Sequence, residues 1–423
     1  MLFPDCYDQK AVHRKENEGW ERQINGLSNN EKANLLLEKH TFKELLADVE
    51  QRNLQNNIVG LEASRLFARS EINMGVDAFR DSLYAMLKRN TFLNIKFENM
   101  LDTLGEMSRT DLYSYLKEWE QLTPLPFYSI GEPELTKVVN KGGEEFFVLK
   151  VLVSNNSDYD GIIQMNVLQN GWWYQPMEDP RARKKVEIAA HTSKEFVSVW
   201  EEQIRDVEIN TMVSGNLPYM IRQSIGNVKQ ERNKIVKDTI YTLPESSLEM
   251  PGEVIVDNED STLFVLSTPA VVGLLPKWLD KVEDTSFKYS GISWWRAPLQ
   301  WTATTNAKYY GKYIRSAYVI KSGDGSQTAT WKIPVPEAGQ YELYYHVFKD
   351  DELRWNDRLQ GEYHFRVAYD SEMEDAYINL RKANEGWEQL GTYYFSADTV
   401  RVMLTDECKL RSVTADAVKI VKR

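Results

Sequence analysis

The chain has 423 residues, a formal net charge of −12, 42% hydrophobic and 27% charged residues. That length exceeds one ordinary core and predicts two or three domains, and the composition is that of folded globular protein. The acidic balance argues against sequence-independent binding of nucleic acid or anionic lipid.

No run approaches the roughly 18 apolar residues of a membrane span, so no membrane insertion of this chain is expected. The opening "MLFPDCYDQKAVHRK" lacks the apolar region of a signal peptide, which points to the cytoplasm unless an export signal belongs to a longer parent. Cys6 and Cys408 lie near opposite ends, so no disulfide framework, metal or redox site is expected from them. The basic run "RARKK" at 181–185 reads as a solvated turn.

Residues 1–121 read as α-helical. In "NNEKANLLLEKHTFKELLADVEQ" (29–51), Leu35, Leu36, Phe42, Leu45, Leu46 and Val49 make one stripe at helical spacing, with Asn29 or Asn30 as cap. His40 and Glu44, one turn apart, read as an exposed ion pair. From Val76 to Lys88 the stripe is Val76, Phe79, Leu83 and Leu87, capped at Asn73 or Gly75. Farther on, Phe97, Leu101 and Leu104 share a face, and Ser108 is expected to cap the next helix with Asp111 as its acidic partner. Leu112, Tyr115, Leu116 and Trp119 complete that helix.

"LTPLPFYSIGEP" (122–133) is a junction. The period then changes to two, in "EEFFVLKVLVSNNSDYDGIIQMNVLQ" and "KKVEIAAHTSKEFVSVW", which predicts a small antiparallel, Ig-like β-sandwich over 130–227. Residues 228–253 read as a linker. Strands resume over 254–423 at the spacing of sandwiches and jelly rolls. The fold class is therefore a multidomain α+β chain: a helical segment, a small antiparallel β-sandwich and a C-terminal jelly-roll-like β-sandwich.

Seven of the 12 tryptophans fall in the segment 254–423: Trp278, Trp294, Trp295, Trp301, Trp331, Trp355 and Trp387. Trp294, Trp295 and Trp301 lie in a polar insert, with Arg296 and Gln300 between them. Flat aromatic surfaces bury the C–H faces of pyranose rings while planar polar groups meet hydroxyls. Trp294, Trp295, Arg296, Trp301 and Trp355 (in "DDELRWNDR") are thus the candidate ligand-binding residues, weighed against a role in closing the end of the sandwich. Trp331 and Trp387 are expected in the core. "SGDGSQ" (322–327) reads as a tight turn rather than a calcium loop, which needs alternating carboxylates and a closing glutamate. Asp257 and Asp416 read as structural hydrogen-bonding acids, with a structural cation as the alternative.

Gly75, Phe79, Leu83, Leu87, Phe97, Leu101, Asp111, Leu112 and Trp119 fit a pattern that resembles the C-terminal helices of aminopeptidase-N-type zinc peptidases, which a β-sandwich also follows; the resemblance covers residues 58–215. The catalytic elements do not carry over. The five histidines (His13, His40, His191, His346 and His364) form no H-E-x-x-H, and "NNIVGLEASRLF" is not preceded by the family's tyrosine. No catalytic residue, metal or cofactor is therefore assigned to this chain.

The motifs "VIVDNED" (254–260), "YYGKYIRSAYVIKSGDGSQTATWKIPVPEAGQYELYYHV" (309–347), "EYHFRV" (362–367), "NEGWEQLGTYYFSADTVRVMLTD" (384–406) and "VTADAVKIV" (413–421) resemble the golvesin C-terminal-like domain. That domain also ends xanthan lyases and large envelope proteins of Bacteroidetes-type bacteria. The resemblance implies a jelly-roll-like sandwich, binding of a polysaccharide or cell-surface glycan, and a cell-envelope or extracytoplasmic location. The leading expectation is a non-catalytic surface module that binds glycan through aromatics. The alternatives are the C-terminal part of a zinc aminopeptidase-like protein with further domains upstream, and a purely structural protein-interaction module.

Overall fold

A computed structural model of the chain describes residues 21–22, 24–91, 93–168, 179–232, 236–246, 248, 252–267, 287–292, 296–349 and 361–423. The chain divides into two units, Met1–Glu18 with Asn29–Leu248, and Gly19–Ser28 with Glu249–Arg423.

Helices of the first unit are α1 (Asn29–Leu37), α2 (Phe42–Ala47), α3 (Gln55–Met74), α4 (Val76–Arg89), α5 (Phe97–Ser108) and α6 (Leu112–Glu118). The stripe over 29–51 is split between α1 and α2 by a capping box. Thr41 Oγ1 accepts the Glu44 N–H at 3.1 Å, and the Glu44 carboxylate accepts the Thr41 N–H at 2.9 Å. Two donors that a helix start leaves unpaired are thereby satisfied. Glu44 therefore serves Thr41 rather than the expected pair with His40, and Leu46 and Val49 are exposed. Along α4 the buried face is Phe79, Leu83 and Met86, while Val76 and Leu87 face outward. Ser108 ends α5 and does not cap α6. Asp111 does, accepting the N–H groups of Tyr113 and Ser114 at 3.1 and 3.2 Å.

The described strands of this unit are β1 (Tyr128–Ile130), β2 (Glu134–Val139), β3 (Glu145–Asn155), β4 (Gly161–Leu168), β5 (Arg183–Ile188), β6 (Thr192–Trp200), β7 (Asp206–Asn210), β8 (Met220–Ser224), β9 (Val228–Arg232) and β10 (Thr239–Pro244). One sheet runs β10-β6-β3-β2-β9 with β1 on β3, and the other runs β5-β4-β7-β8. Among the described strands, β2 and β9 pair in parallel and the other pairs are antiparallel. Strands β9 and β10 lie within 228–253, so these two strands take 11 of the 26 positions of the expected linker. The basic run at 181–185 likewise leads into β5, with Arg181 paired to Asp179 and Lys185 to Glu71 at 2.6 Å each. A core of Leu149, Val151, Phe196, Trp200 and Ile209 fills one side of the larger sheet, and Val138, Val148 and Val197 form a second apolar cluster. Helix and sandwich residues share clusters, Leu45 and Ile58 with Leu125 and Val213, and Ala68 with Ile162 and Met212. That shared burial is why the helical segment and this sandwich form one unit instead of two.

The second unit contains β11 (Glu253–Val256), β12 (Phe264–Leu266), β13 (Thr302–Thr305), β14 (Ser316–Lys321), β15 (Thr328–Pro334), β16 (Gly339–Val347), β17 (Glu362–Tyr369), β18 (Glu372–Asn379), β19 (Gly386–Phe395), β20 (Thr399–Thr405), β21 (Ser412–Ala415) and β22 (Val418–Lys422). Three sheets run β11-β22-β16-β19, β12-β15-β20-β17-β18 and β13-β14-β21. Alternate residues turn inward, as half-buried strands require. Leu343, Tyr345 and Val347 of β16 meet Trp331, Phe365, Val402 and Leu404 of the facing sheet in one core. The segment Gly19–Ser28 belongs here too: Thr305 Oγ1 donates to Gly26 O at 2.9 Å, and Gly26 lies so close to the Ser290 backbone that no Cβ fits.

Candidate functional site

The outer face of sheet β11-β22-β16-β19 is built by a break in register. From Tyr341–Tyr393 to Leu343–Gly391 the partners' numbers sum to one value; from Tyr344–Gln389 to His346–Trp387 the sum is one lower, because Leu390 is an extra residue. Such a bulge exchanges the two faces of the strand beyond it. Tyr393 and Phe395 therefore point into the core, and Trp387, of the same parity, points out beside His346. The expectation that Trp387 is core fails for this reason.

The ring of Trp387 lies 5.0 Å from that of Tyr310 and 5.2 Å from that of His346, both at steep angles. The Lys419 ammonium stands 4.8 Å from the Trp387 ring and 5.4 Å from that of Tyr344, and pairs with Glu253 at 2.7 Å. Tyr344 donates to Glu342 at 2.6 Å, and Arg423 Nε donates to the other oxygen of the same carboxylate at 2.9 Å. These two hydrogen bonds hold Glu342 below the usual carboxylate range, and the same contact raises the Tyr344 phenol. Gln389, Thr392 and the exposed Tyr394 continue the strand. The result is an aromatic strip with a cation, an anion and an imidazole fixed around it. It offers flat apolar contact together with planar and charged hydrogen-bonding groups, the two demands of sugar recognition.

Beneath this strip, the fully buried Asp416 accepts from the Tyr310 N–H at 3.1 Å and faces His346 Nδ1 at 2.8 Å. Burial raises its carboxyl and His346 opposes the shift. Asp257 is raised further, by burial and then by the Asp416 charge. Asp416 thus has the hydrogen-bonding role expected of it. "SGDGSQ" is a turn closed by Asp406, whose Oδ1 accepts the Gly325 N–H at 2.8 Å and the Gln327 N–H at 3.2 Å. Gly325 has φ +88° and Gly323 lies against the Asp406 carboxylate, so glycine is required at both. Among the described residues, no group of three or more His, Cys, Asp or Glu side chains could hold a metal ion.

Of the expected ligand-binding residues, Trp294, Trp295 and Trp355 lie outside the described residues, as do Trp278 and Cys6. Arg296 is exposed. Trp301 is half-buried and packs on the sandwich core, its buried indole N–H meeting no acceptor among the described residues. Trp331 is fully buried, as expected.

No curated protein matches the sequence. Among solved structures, a Paenibacillus xanthan lyase is similar at 16% identity and TM-score 0.29, over 71% of this chain and 27% of that one. The CBM35 module from Cellvibrio japonicus Abf62 is similar at 12% identity and TM-score 0.20, over 30% of this chain and 83% of that one. A Podospora anserina GH26-CBM35 β-(1,4)-mannanase is similar at 11% identity and TM-score 0.21, over 41% of this chain and 28% of that one. The chain thus spans less than a third of the lyase and of the mannanase. The family match is confined to the C-terminal unit and covers none of 58–215, the stretch resembling zinc peptidases. Residues 295–422 match the family model of the golvesin C-terminal domain, and the C-terminal sandwich carries that domain.

Proposed function

We propose that the C-terminal unit is a carbohydrate-binding module that acts without catalysis, holding a polysaccharide against the outer face of sheet β11-β22-β16-β19. The carrying observation is the register break that turns Trp387 out of the core, beside Tyr310, His346 and Lys419. A contiguous aromatic patch at a surface, unlike a single exposed residue, marks an interaction site. The golvesin C-terminal match supports the same reading. Trp294, Trp295, Arg296, Trp301 and Trp355 are proposed as a second set of contact residues for the same ligand.

The test is retention of the whole chain on a panel of insoluble and gel-embedded polysaccharides, with Trp387→Ala and Trp295→Ala compared separately. Loss of one stacking aromatic costs about 0.5–1.5 kcal/mol, up to roughly tenfold in affinity. Weakened retention by Trp387→Ala, with an unchanged thermal melt, supports the sheet face. The same result for Trp295→Ala alone moves the site to this second set of residues. Unchanged retention in both variants removes the reading.

A further inference from the structure

The opposite sheet, β12-β15-β20-β17-β18, has an outer face of different character. Tyr377 of β18 is 58% exposed and opposes His364 of β17, their rings stacked at 4.9 Å and 9°. Two residues along β17 stands Arg366, opposite Met403 of β20; two residues along β20 stands Arg401, directly opposite Lys332 of β15. Tyr377, Arg366, Arg401 and Lys332 therefore sit on four neighbouring strands, in a diagonal line on one face. The steps are about 7–8 Å, about 7–8 Å and about 5 Å from the geometry of antiparallel pairs.

Two features set this line apart from an ordinary solvated surface. Lys332 and Arg401 are cross-strand partners of like charge, an arrangement that destabilises a sheet. Neither makes an ion pair or side-chain hydrogen bond among the described residues, in a chain whose formal net charge is −12. Arg366 reaches Asp375 only at 4.0 Å, because that carboxylate is held closer by His364, at 2.7 Å. Asp375 and Glu407 on this face both engage His364, and Lys332 and Arg401 are left without a carboxylate partner among the described residues.

We infer that this face is a second binding site, separate from the Trp387 strip, for a polysaccharide bearing carboxylates. Guanidinium forks at Arg366 and Arg401 match carboxylate geometry, Lys332 adds a point charge, and Tyr377 offers a flat ring to a sugar face. A line of three cations beginning at an aromatic suits a chain whose acid groups are spaced by uncharged ring atoms. The surrounding Asp375, Glu407 and Glu362 oppose the denser charge of duplex nucleic acid, about one phosphate per 1.7 Å of helix, more than the single carboxylate per sugar of an acidic polysaccharide.

The experiment measures affinity of the whole chain for polygalacturonate, for a neutral polysaccharide and for duplex DNA at 50 and 300 mM salt. The proteins compared are the wild type, Lys332→Gln with Arg401→Gln, and Tyr377→Ala. The wild type is expected to bind polygalacturonate, less well at high salt. The double variant loses roughly tenfold, the sum of two exposed ion contacts, and its thermal melt does not fall, because a like-charge pair is relieved. Tyr377→Ala weakens binding and leaves the salt dependence in place. Neutral-glycan binding, the property of the Trp387 strip, is unchanged in both, so the two sites stand or fall separately. Absence of polygalacturonate binding by the wild type, an unaffected double variant, or equal binding of DNA each overturns the inference.

Discussion

The two sandwiches solve the same packing problem with opposite treatment of their outer surfaces. The larger sheet of the N-terminal sandwich carries two separate apolar clusters, with Val138, Val148 and Val197 all nearly inaccessible outside the main core. The C-terminal sandwich keeps its apolar residues between the sheets and places Trp387, Tyr344, Tyr394, Tyr377 and a row of cations outside. A sheet buried on both faces is committed to structure, while one buried on a single face has a free surface for recognition.

The sharpest way to break this contrast is to place one charge on each outer position. Val148→Asp in the first sandwich should lose about 3 kcal/mol or more, from the lost burial and the desolvated carboxylate. Tyr394→Asp, at a site 65% exposed in the second, should stay within about 0.5 kcal/mol. Urea titrations of both variants measure the difference, and equal losses would refute it.

A smaller effect separates the two units by pH. Asp257 in the folded chain is raised well above its usual value of 3.8. A raised acid binds more protons folded than unfolded, so its contribution is greatest at low pH and is lost as pH rises from that ordinary value through the folded one. Asp257→Asn should flatten this decline and raise the melting temperature of the C-terminal unit at pH 7. A melt with the wild-type pH profile would show that Asp257 contributes nothing to it.

The smallest effect belongs to the N-terminal unit and has a different window. His191 lies 2.7 Å from both Asp158 and Glu245, and these hydrogen bonds raise it above 6.5. Its stabilising contribution is present below the unfolded value and declines as pH rises through the folded one. His191→Ala should leave a slightly lower melting temperature at pH 5.5 and none of the decline between pH 6 and 8. Calorimetry that shows the decline intact would assign it to other groups.

Much of the architecture was legible because it rests on local chemistry. Helical spacing in 76–88 and the strand spacing over 254–423 both produced the expected elements. What the local pattern missed were events settled by a partner. Thr41 could end a stripe only because Glu44 answered its N–H, and the alternation that places Tyr393 and Phe395 in the core also places Trp387 there until the extra Leu390 is seen against β16. Strand β9 escaped notice because Val228–Arg232 is polar and pairs with β2 across a long separation. Of the candidate binding residues, Arg296 was placed outside and Trp301 against the core, while the cation line depended on the order of four strands, which no single stretch encodes.

The contact between Thr305 and Gly26 spans 279 positions of chain. Nearly all of the N-terminal unit is synthesised between those two residues. Closing so long a loop costs entropy before any contact rewards it, so folds rich in such contacts form slowly. The segment Gly19–Ser28 can dock only once the stretch from Ser290 to Thr305 is in place, and its docking is expected among the late steps of folding. A C-terminal fragment beginning at Glu249 would lack it altogether and leave the surface around Thr305 and Gly291 uncovered.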